Sequence, residues 1–307
     1  MRGFASFILR GRMQAVLIVA VAAVMSMVIP PLSHVSGAAV ALVTLRNGAI
    51  EGALIAIGSA LLLLLLGLLS TMGTEVVDVF VVSLVAAVWL PALISALVLR
   101  YWRSLGLALS TLGLIALLAM LIFYLAIDDV RAWWYAVLQV ALEPMLTTAP
   151  MPMSTGEIEN WLNSFAAIMT GVVASTLLLT AMINLSLARW WQALLYNPGG
   201  FRQEFHGLRL DWRIAAAALP LAVISTLFSD GPVQSFGQDA MVLIMAMFSV
   251  PGLALIHAVV AHKKIHRAAL IAVYVLLLFL LPQMVMILAA TGLTDSWLNF
   301  RRRLGIQ

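Results

Sequence analysis

The sequence predicts an all-α, polytopic membrane protein: a transmembrane helical bundle of eight or nine helices forming a single integral membrane domain over residues 1–307. Three observations predict it. The chain is 64% hydrophobic and only 10% charged, with a mean hydropathy of +1.08, whereas a soluble domain carries about 25% charged residues. Long runs carry almost no charge; from Ala49 to Leu69 the one ionisable residue is Glu51. The remaining charges sort by side when the runs are taken as alternating crossings. No polar run is long enough for a separate soluble domain. There is no cysteine, which excludes disulfides, thiolate metal sites and cysteine nucleophiles. The net charge of +4 reads as basic membrane-flanking loops, so the lipid bilayer is the expected partner and nucleic acid is not.

The stretch 46–70 organises the chain. About 20 residues at about 1.5 Å each cross a hydrocarbon core of about 30 Å. Gly48, Gly52, Ala56 and Ala60 recur every fourth residue and form a smooth ridge for helix packing. Leu61 to Leu66 cover every side of the same helix. Lipid does not drive helices together hydrophobically, so small residues that let backbones approach closely do that work.

The other elements follow in order. Arg2, Arg10 and Arg12 precede an apolar run at 13–29. It resembles a signal peptide, but Pro30 and Pro31 end it with no small-x-small cleavage site, so it is expected to remain as the first span. Residues 35–45 make a short helix whose Gly37, Ala38, Ala39 and Ala41 predict tight packing, as a half-helix or a crossing. Spans are expected at 76–99 with Pro91 inside, and at 105–127. The region 128–160, with Trp133, Trp134, Tyr135 and the acids Glu143, Glu157 and Glu159, reads as an outer amphipathic loop at the membrane surface. Further spans follow at 161–187, 214–228 with Pro220 inside, 240–261 broken at Pro251 and Gly252, and 268–290 with Pro282 inside. A cytoplasmic amphipathic loop at 189–213 and a tail at 291–307 complete the chain.

With these crossings, basic residues such as Arg46, Arg100, Arg103, Arg189 and Lys263 fall on one side. Acids such as Glu75, Asp78, Asp128, Asp230 and Asp239 fall on the other, with Arg131 the basic exception. The positive-inside rule then makes the N-terminus cytoplasmic, and it requires the short helix 35–45 to cross. Nine crossings leave Arg301, Arg302 and Arg303 outside, against the rule. Late charges determine topology more weakly than early ones, so nine is the expectation, and eight crossings, with 268–290 re-entrant at Pro282, are the alternative.

No enzyme is expected, because the spans hold no constellation of acids, bases or ligands. Glu51 and His257 are the ionisable groups within spans, where burial is costly and functional roles concentrate. Glu51 is also explained by the favourable field of a helix N-terminus. His262 and His266 have the i, i+4 spacing of a metal pair, but no third ligand is near in sequence. The plainer reading is a basic interfacial loop, with no metal or cofactor.

Two sets of residues are candidates for binding. His34 and Ser36, with Asn160 and Asn163, are placed to supply polar ligands to an outward-opening pocket, shaped by breaks at Pro220, Pro251 and Gly252. Irregular backbone at membrane depth is tolerated where it lines a cavity, and transporters place substrate there. The plainer alternative is solvated loop residues and ordinary kinks. In the loop 189–213, Asn197-Pro198-Gly199-Gly200 is a turn signal. Phe201, Phe205 and Leu208 line one face of a short amphipathic helix, either lying on the inner leaflet or docking a cytoplasmic partner. Asp211 is placed to cap the following helix.

Asn197, Pro198, Gly199, Gly200 and Phe201, then Glu204, Phe205 and Leu208, together with Gly292, Leu293, Asp295, Trp297, Phe300 and Arg301 in the tail, resemble the YybS-like bacterial membrane proteins, a family of unknown function. The stretch from Ser36 and Gly37 through Arg46, Gly48 and Gly52 fits as well. That family is similar in organisation to the substrate-binding S subunits of energy-coupling-factor transporters and to MreD-type envelope proteins. The resemblance implies a multi-pass protein of the bacterial inner membrane with an S-subunit-like fold. S subunits dock on their energising partner through small-xxx-small residues of the first helix, a spacing found here at Gly11 and Ala15 and at Ala22 and Ser26. The expected function is a small-molecule substrate-binding or transport component, partnered by an ATPase energising module. The alternative is a scaffold or assembly factor for envelope proteins, without a substrate.

Overall fold

The computed structural model describes residues 1–69, 74–148, 154–227 and 231–305. Asp230 and the expected segment ends at Ser70, Phe228 and Gln307 lie outside the described residues. Among the described residues every regular element is helical: α1 (Arg2–Ile8), α2 (Arg12–Met25), α3 (Leu32–Asn47), α4 (Ala49–Leu68), α5 (Thr74–Leu84), α6 (Leu90–Trp102), α7 (Leu105–Ala126), α8 (Val130–Thr148), α9 (Thr155–Ala166), α10 (Met169–Tyr196), α11 (Gly200–His206), α12 (Trp212–Leu227), α13 (Pro232–His262), α14 (Ala268–Phe279), α15 (Leu281–Leu298) and α16 (Phe300–Arg303). Among the described residues five segments are long and apolar enough to cross a membrane: α4, Glu75–Trp102, α7, α10 and α13. The pair α1–α2, bent by 115°, makes a sixth if counted as one span. The protein is membrane-embedded.

The centre of the bundle is α3. Every residue from Ser36 through Leu45 is buried, enclosed by α2, α4, α6 and α10. Glycine, alanine, serine and valine dominate this run, so neighbouring backbones close in on it. Around it, α4 buries Gly52, Ile55, Ser59, Leu63 and Gly67. This stripe is offset from the expected ridge. Gly52 lies on it, with a Cβ there falling 2.0 Å from Thr44 Oγ1 of α3. Ala56 and Ala60 sit half-buried at its edge, and Gly48 begins the helix with φ 105°. A strict four-residue spacing drifts about 40° per step around a helix of 3.6 residues per turn, so it cannot stay on one face.

The prolines are accommodated differently from expectation. α13 runs unbroken through Pro251 and Gly252, and α12 through Pro220. In α13, packing outweighs the proline penalty of about 3 kcal/mol: Pro251 is buried, and Gly252 faces α15, where a Cβ would fall 1.9 Å from the Leu288 carbonyl oxygen. A Cβ on Gly292 would fall 2.1 Å from the Phe248 carbonyl oxygen. The two glycines thus bring the backbones of α13 and α15 into contact. Pro91 follows a π-helical turn, Val85–Trp89, that joins α5 to α6. The clean break is at Leu280, with Pro282 in the first turn of α15, where its missing N–H costs nothing. The region expected as one loop at 128–160 contains α8 and the start of α9, and the span expected at 161–187 begins instead at Met169. α9 starts with a capping box between Ser154 and Glu157, whose backbone and hydroxyl hydrogen bonds hold the Glu157 carboxyl below the usual range.

One face of the bundle gathers the basic ends. Arg12 forks onto Glu51 at 2.9 and 2.5 Å, Arg46 lies 4.5 Å over the Tyr196 ring, and Arg100 donates to the Leu45 carbonyl at 2.6 Å. The C-terminal segment is not a free tail. α15 continues to Leu298, and Arg301 is buried against the loop that follows α11. The chain therefore leaves α13 at this face, turns back at Leu280 and returns to the same face.

Because the protein has no cysteine, a single introduced cysteine reports its own side. In sealed membranes, Arg302→Cys and Lys264→Cys are expected to react with an impermeant maleimide from the same side, and Ser154→Cys from the opposite side. Labelling of positions 302 and 264 from opposite sides contradicts the return of the chain.

Candidate functional site

Between α10, α11, α13, α14 and α15 lies a cavity of about 830 Å³. Its floor is α13, from Ser249 to His257, a rise of about 12 Å. α10 supplies Met182, Ile183 and Trp190 as one wall; Tyr274, Leu281 and Leu288 of α14 and α15 supply the other. Phe201, Arg202, Phe205 and His206 of α11 close the end at the basic face. Ile183 and Leu281 are exposed, so the cavity opens sideways between α10 and α15. Its length matches roughly one leaflet of a hydrocarbon core about 30 Å thick.

The polar groups collect at the α11 end. His257 Nε2 lies 2.9 Å from the Tyr274 hydroxyl, and its ring meets Phe205 edge-on at 5.6 Å. The His206 ring is 6.4 Å from that of His257. Burial, and then the positive charge of Arg202, the neighbouring His257 and Arg301, hold His206 below the usual histidine range. A second cavity of about 630 Å³ continues outward past Lys264 and Arg267, and shares Arg202, His206, His257 and Tyr274 with the first.

A buried clasp fixes α11 in place. Arg301 forms an ion pair with Asp295, which is fully buried. It also donates to the carbonyls of His206 and Leu208, both at 2.8 Å. Arg209 donates to the Ser296 carbonyl at 2.9 Å. On the opposite face of α11, Glu204 is paired with Arg189. The apolar face formed by Phe201 and Phe205 consequently lies against the chain's own helices, and Leu208 is buried. Asp211 caps α12 through the Arg213 N–H at 2.8 Å.

The residues expected to line an outward pocket do not come together. His34 Nδ1 lies 2.9 Å from Asn184 Oδ1. Ser36 donates to the Val19 carbonyl and accepts from Trp89 Nε1, both at 2.9 Å. These contacts bind α2, α3, the π-turn and α10 together. Asn160 and Asn163 are exposed on α9, where Asn163 donates to the Glu159 carbonyl. Pro220 is exposed, whereas Pro251 and Gly252 lie inside the α13–α15 contact. Asp239 accepts from the Tyr124 hydroxyl at 2.6 Å and from the Gly171 N–H at 2.7 Å, so it caps the first turn of α10 from a neighbouring helix. Ala15 is buried within the bundle and Gly11 is exposed at the start of α2.

The sequence pointed to His257 and the loop 189–213 separately, but it carried no spacing that joined Arg202 and His206 to Tyr274. Among the described residues, no three His, Asp or Glu side chains gather as metal ligands. The fold and this cavity define a membrane-embedded helical protein with a laterally open, mainly apolar chamber. No protein-family model, curated protein or solved structure matches the chain.

Removing Asp295 leaves the Arg301 charge buried without its partner. Asp295→Ala is expected to destabilise the fold by about 3–5 kcal/mol; Asp295→Leu with Arg301→Met should recover part of that, because no charge stays buried and only the His206 and Leu208 carbonyls and the Phe300 N–H lose their partners. Denaturation of both variants in detergent measures the difference. For His206, the folded value lies below the unfolded 6.5. The unfolded chain therefore takes up a proton first as pH falls, and stability declines from about pH 6.5 down to the folded value. The melting temperature should fall between pH 7.5 and pH 5, and His206→Asn should flatten that fall.

Proposed function

We propose that the protein is a small-molecule binding or transport component of a bacterial inner membrane, and that the chamber between α10, α13 and α15 holds its substrate. The observation that carries this reading is the 830 Å³ chamber itself: apolar along its length, polar at one end, and open at membrane depth. Binding sites are typically concave, largely apolar and furnished with a few convergent polar groups. The proposed topology has a cytoplasmic N-terminus and eight crossings, α2, α3, α4, α5–α6, α7, α10, α12 and α13, followed by α14 and α15 as a re-entrant hairpin. This arrangement puts Arg301, Arg302 and Arg303 on the basic side. The motif resemblance to YybS-like proteins and S subunits accords with a substrate-binding role, and an ATPase module is the proposed energising partner. No catalytic step is proposed.

The second reading is a scaffold for envelope proteins. The lipid-facing surface of α14, which buries no residue, favours it as a place for a partner helix. Phe201 and Phe205 favour the first reading, because they wall the chamber from within.

Purification of the full chain in a gentle detergent, followed by mass spectrometry, is expected to yield a stoichiometric small molecule. Leu253→Trp fills the chamber floor and should abolish its retention with the fold intact. Envelope proteins co-purifying without a small molecule would support the scaffold instead.

A further inference from the structure

The ligand class can be read from the charges at the chamber's mouth. Arg202, Lys264 and Arg267 line the outer cavity, with His206 and His257 between them and the chamber. Neither cavity is lined by an aspartate or glutamate. Glu204, two residues from Arg202, is turned to the opposite face of α11 and engaged by Arg189. Among the described residues no carboxylate pairs with Arg202, Lys264 or Arg267. Three fixed cations thus converge without a counter-charge, beside two imidazoles and the Tyr274 hydroxyl, all of which can donate hydrogen bonds. The chamber behind them is mainly apolar, about one leaflet deep, and open to the bilayer through Ile183 and Leu281.

We propose that this site takes an amphiphile with a phosphate head: a membrane lipid whose chain lies along α13 from Ser249 to His257 and whose phosphate sits among Arg202, Lys264 and Arg267. The proposal rests on the chamber being the substrate site and adds the substrate's class. Charge complementarity selects the head, since arginine and lysine meet phosphate oxygens through short charge-assisted hydrogen bonds. Basic pockets between helices at the cytoplasmic side are also where lipid phosphates bind. The apolar walls select the tail, and the sideways opening admits a ligand from the bilayer. Tyr274 and His257 stand at the junction of the two regions, level with the first carbons of the tail.

The test uses the full chain in a non-ionic detergent, with thermal stabilisation as readout and three probes: hexadecyl phosphate, hexadecanol and inorganic phosphate. Hexadecyl phosphate is expected to bind about tenfold tighter than hexadecanol, the ratio that one added charge-assisted contact gives. Arg202→Gln with Lys264→Gln should erase that preference while hexadecanol binding persists. Should the double variant fail to fold, Arg267→Gln, at an exposed position outside the helices, serves the same purpose. Equal binding of the two amphiphiles, lost in Leu253→Trp, would keep the chamber and overturn phosphate recognition. Inorganic phosphate binding as tightly as hexadecyl phosphate would overturn the lipid source. Binding of neither amphiphile would overturn the chamber reading as well.

Discussion

The structure depends on one constraint: inside hydrocarbon, burying apolar surface between helices gains little, because lipid is as apolar as leucine. Helices must then be held by close backbone approach and by a few internal hydrogen bonds. α3 meets the constraint most fully, buried from Ser36 to Leu45 and composed largely of small residues. Ser36 adds a polar tie on each side, to the Val19 carbonyl and to Trp89. The π-turn matters here because it accommodates an extra residue in the helix carrying Trp89 and so resets the face from there on. The same logic recurs where Gly252 and Gly292 let α13 meet α15, and where Gly171 lets α10 approach Asp239.

The basic face solves a different problem. Its charges build a buried polar clasp. Arg301 crosses from the C-terminal segment to two carbonyls at the end of α11, and Asp295 neutralises it in a buried position. α11 is thereby fixed with Glu204 committed to Arg189 on one face and Arg202 left to the cation-rich cavity on the other. The chamber's polar end is consequently set by residues 90 or more positions apart in the chain, joined through a clasp.

Much of the fold was legible from the sequence because apolar runs, prolines and charge alternation are local signals. Helical class, membrane insertion, the tight packing of 35–45 and the cap at Asp211 all follow from residues close in sequence. What was not legible depended on partners far away. Pro251 reads locally as a break, yet α15 packs against it and the helix continues. Gly48, Gly52, Ala56 and Ala60 read as one ridge by spacing, but only the true helical period decides which of them face α3. The tail reads as free because Asp295 and Arg301 are six positions apart, and their shared target, the end of α11, lies far upstream. Arg202, His206, His257 and Tyr274 meet only through the folding of three separate helices, α11, α13 and α14.

The contrast between α14 and the α13–α15 contact also bears on how such a chain can change over time. α14 buries no side chain completely, so away from Tyr274 and Leu277, which line the chamber, any apolar residue satisfies lipid there and its sequence is free to drift. A single methyl group at Gly252 or Gly292 collides with a neighbouring carbonyl. Among relatives, the least variable positions should therefore be residues with no side chain at all, and a comparison weighted toward bulky or charged side chains would overlook what holds the molecule together.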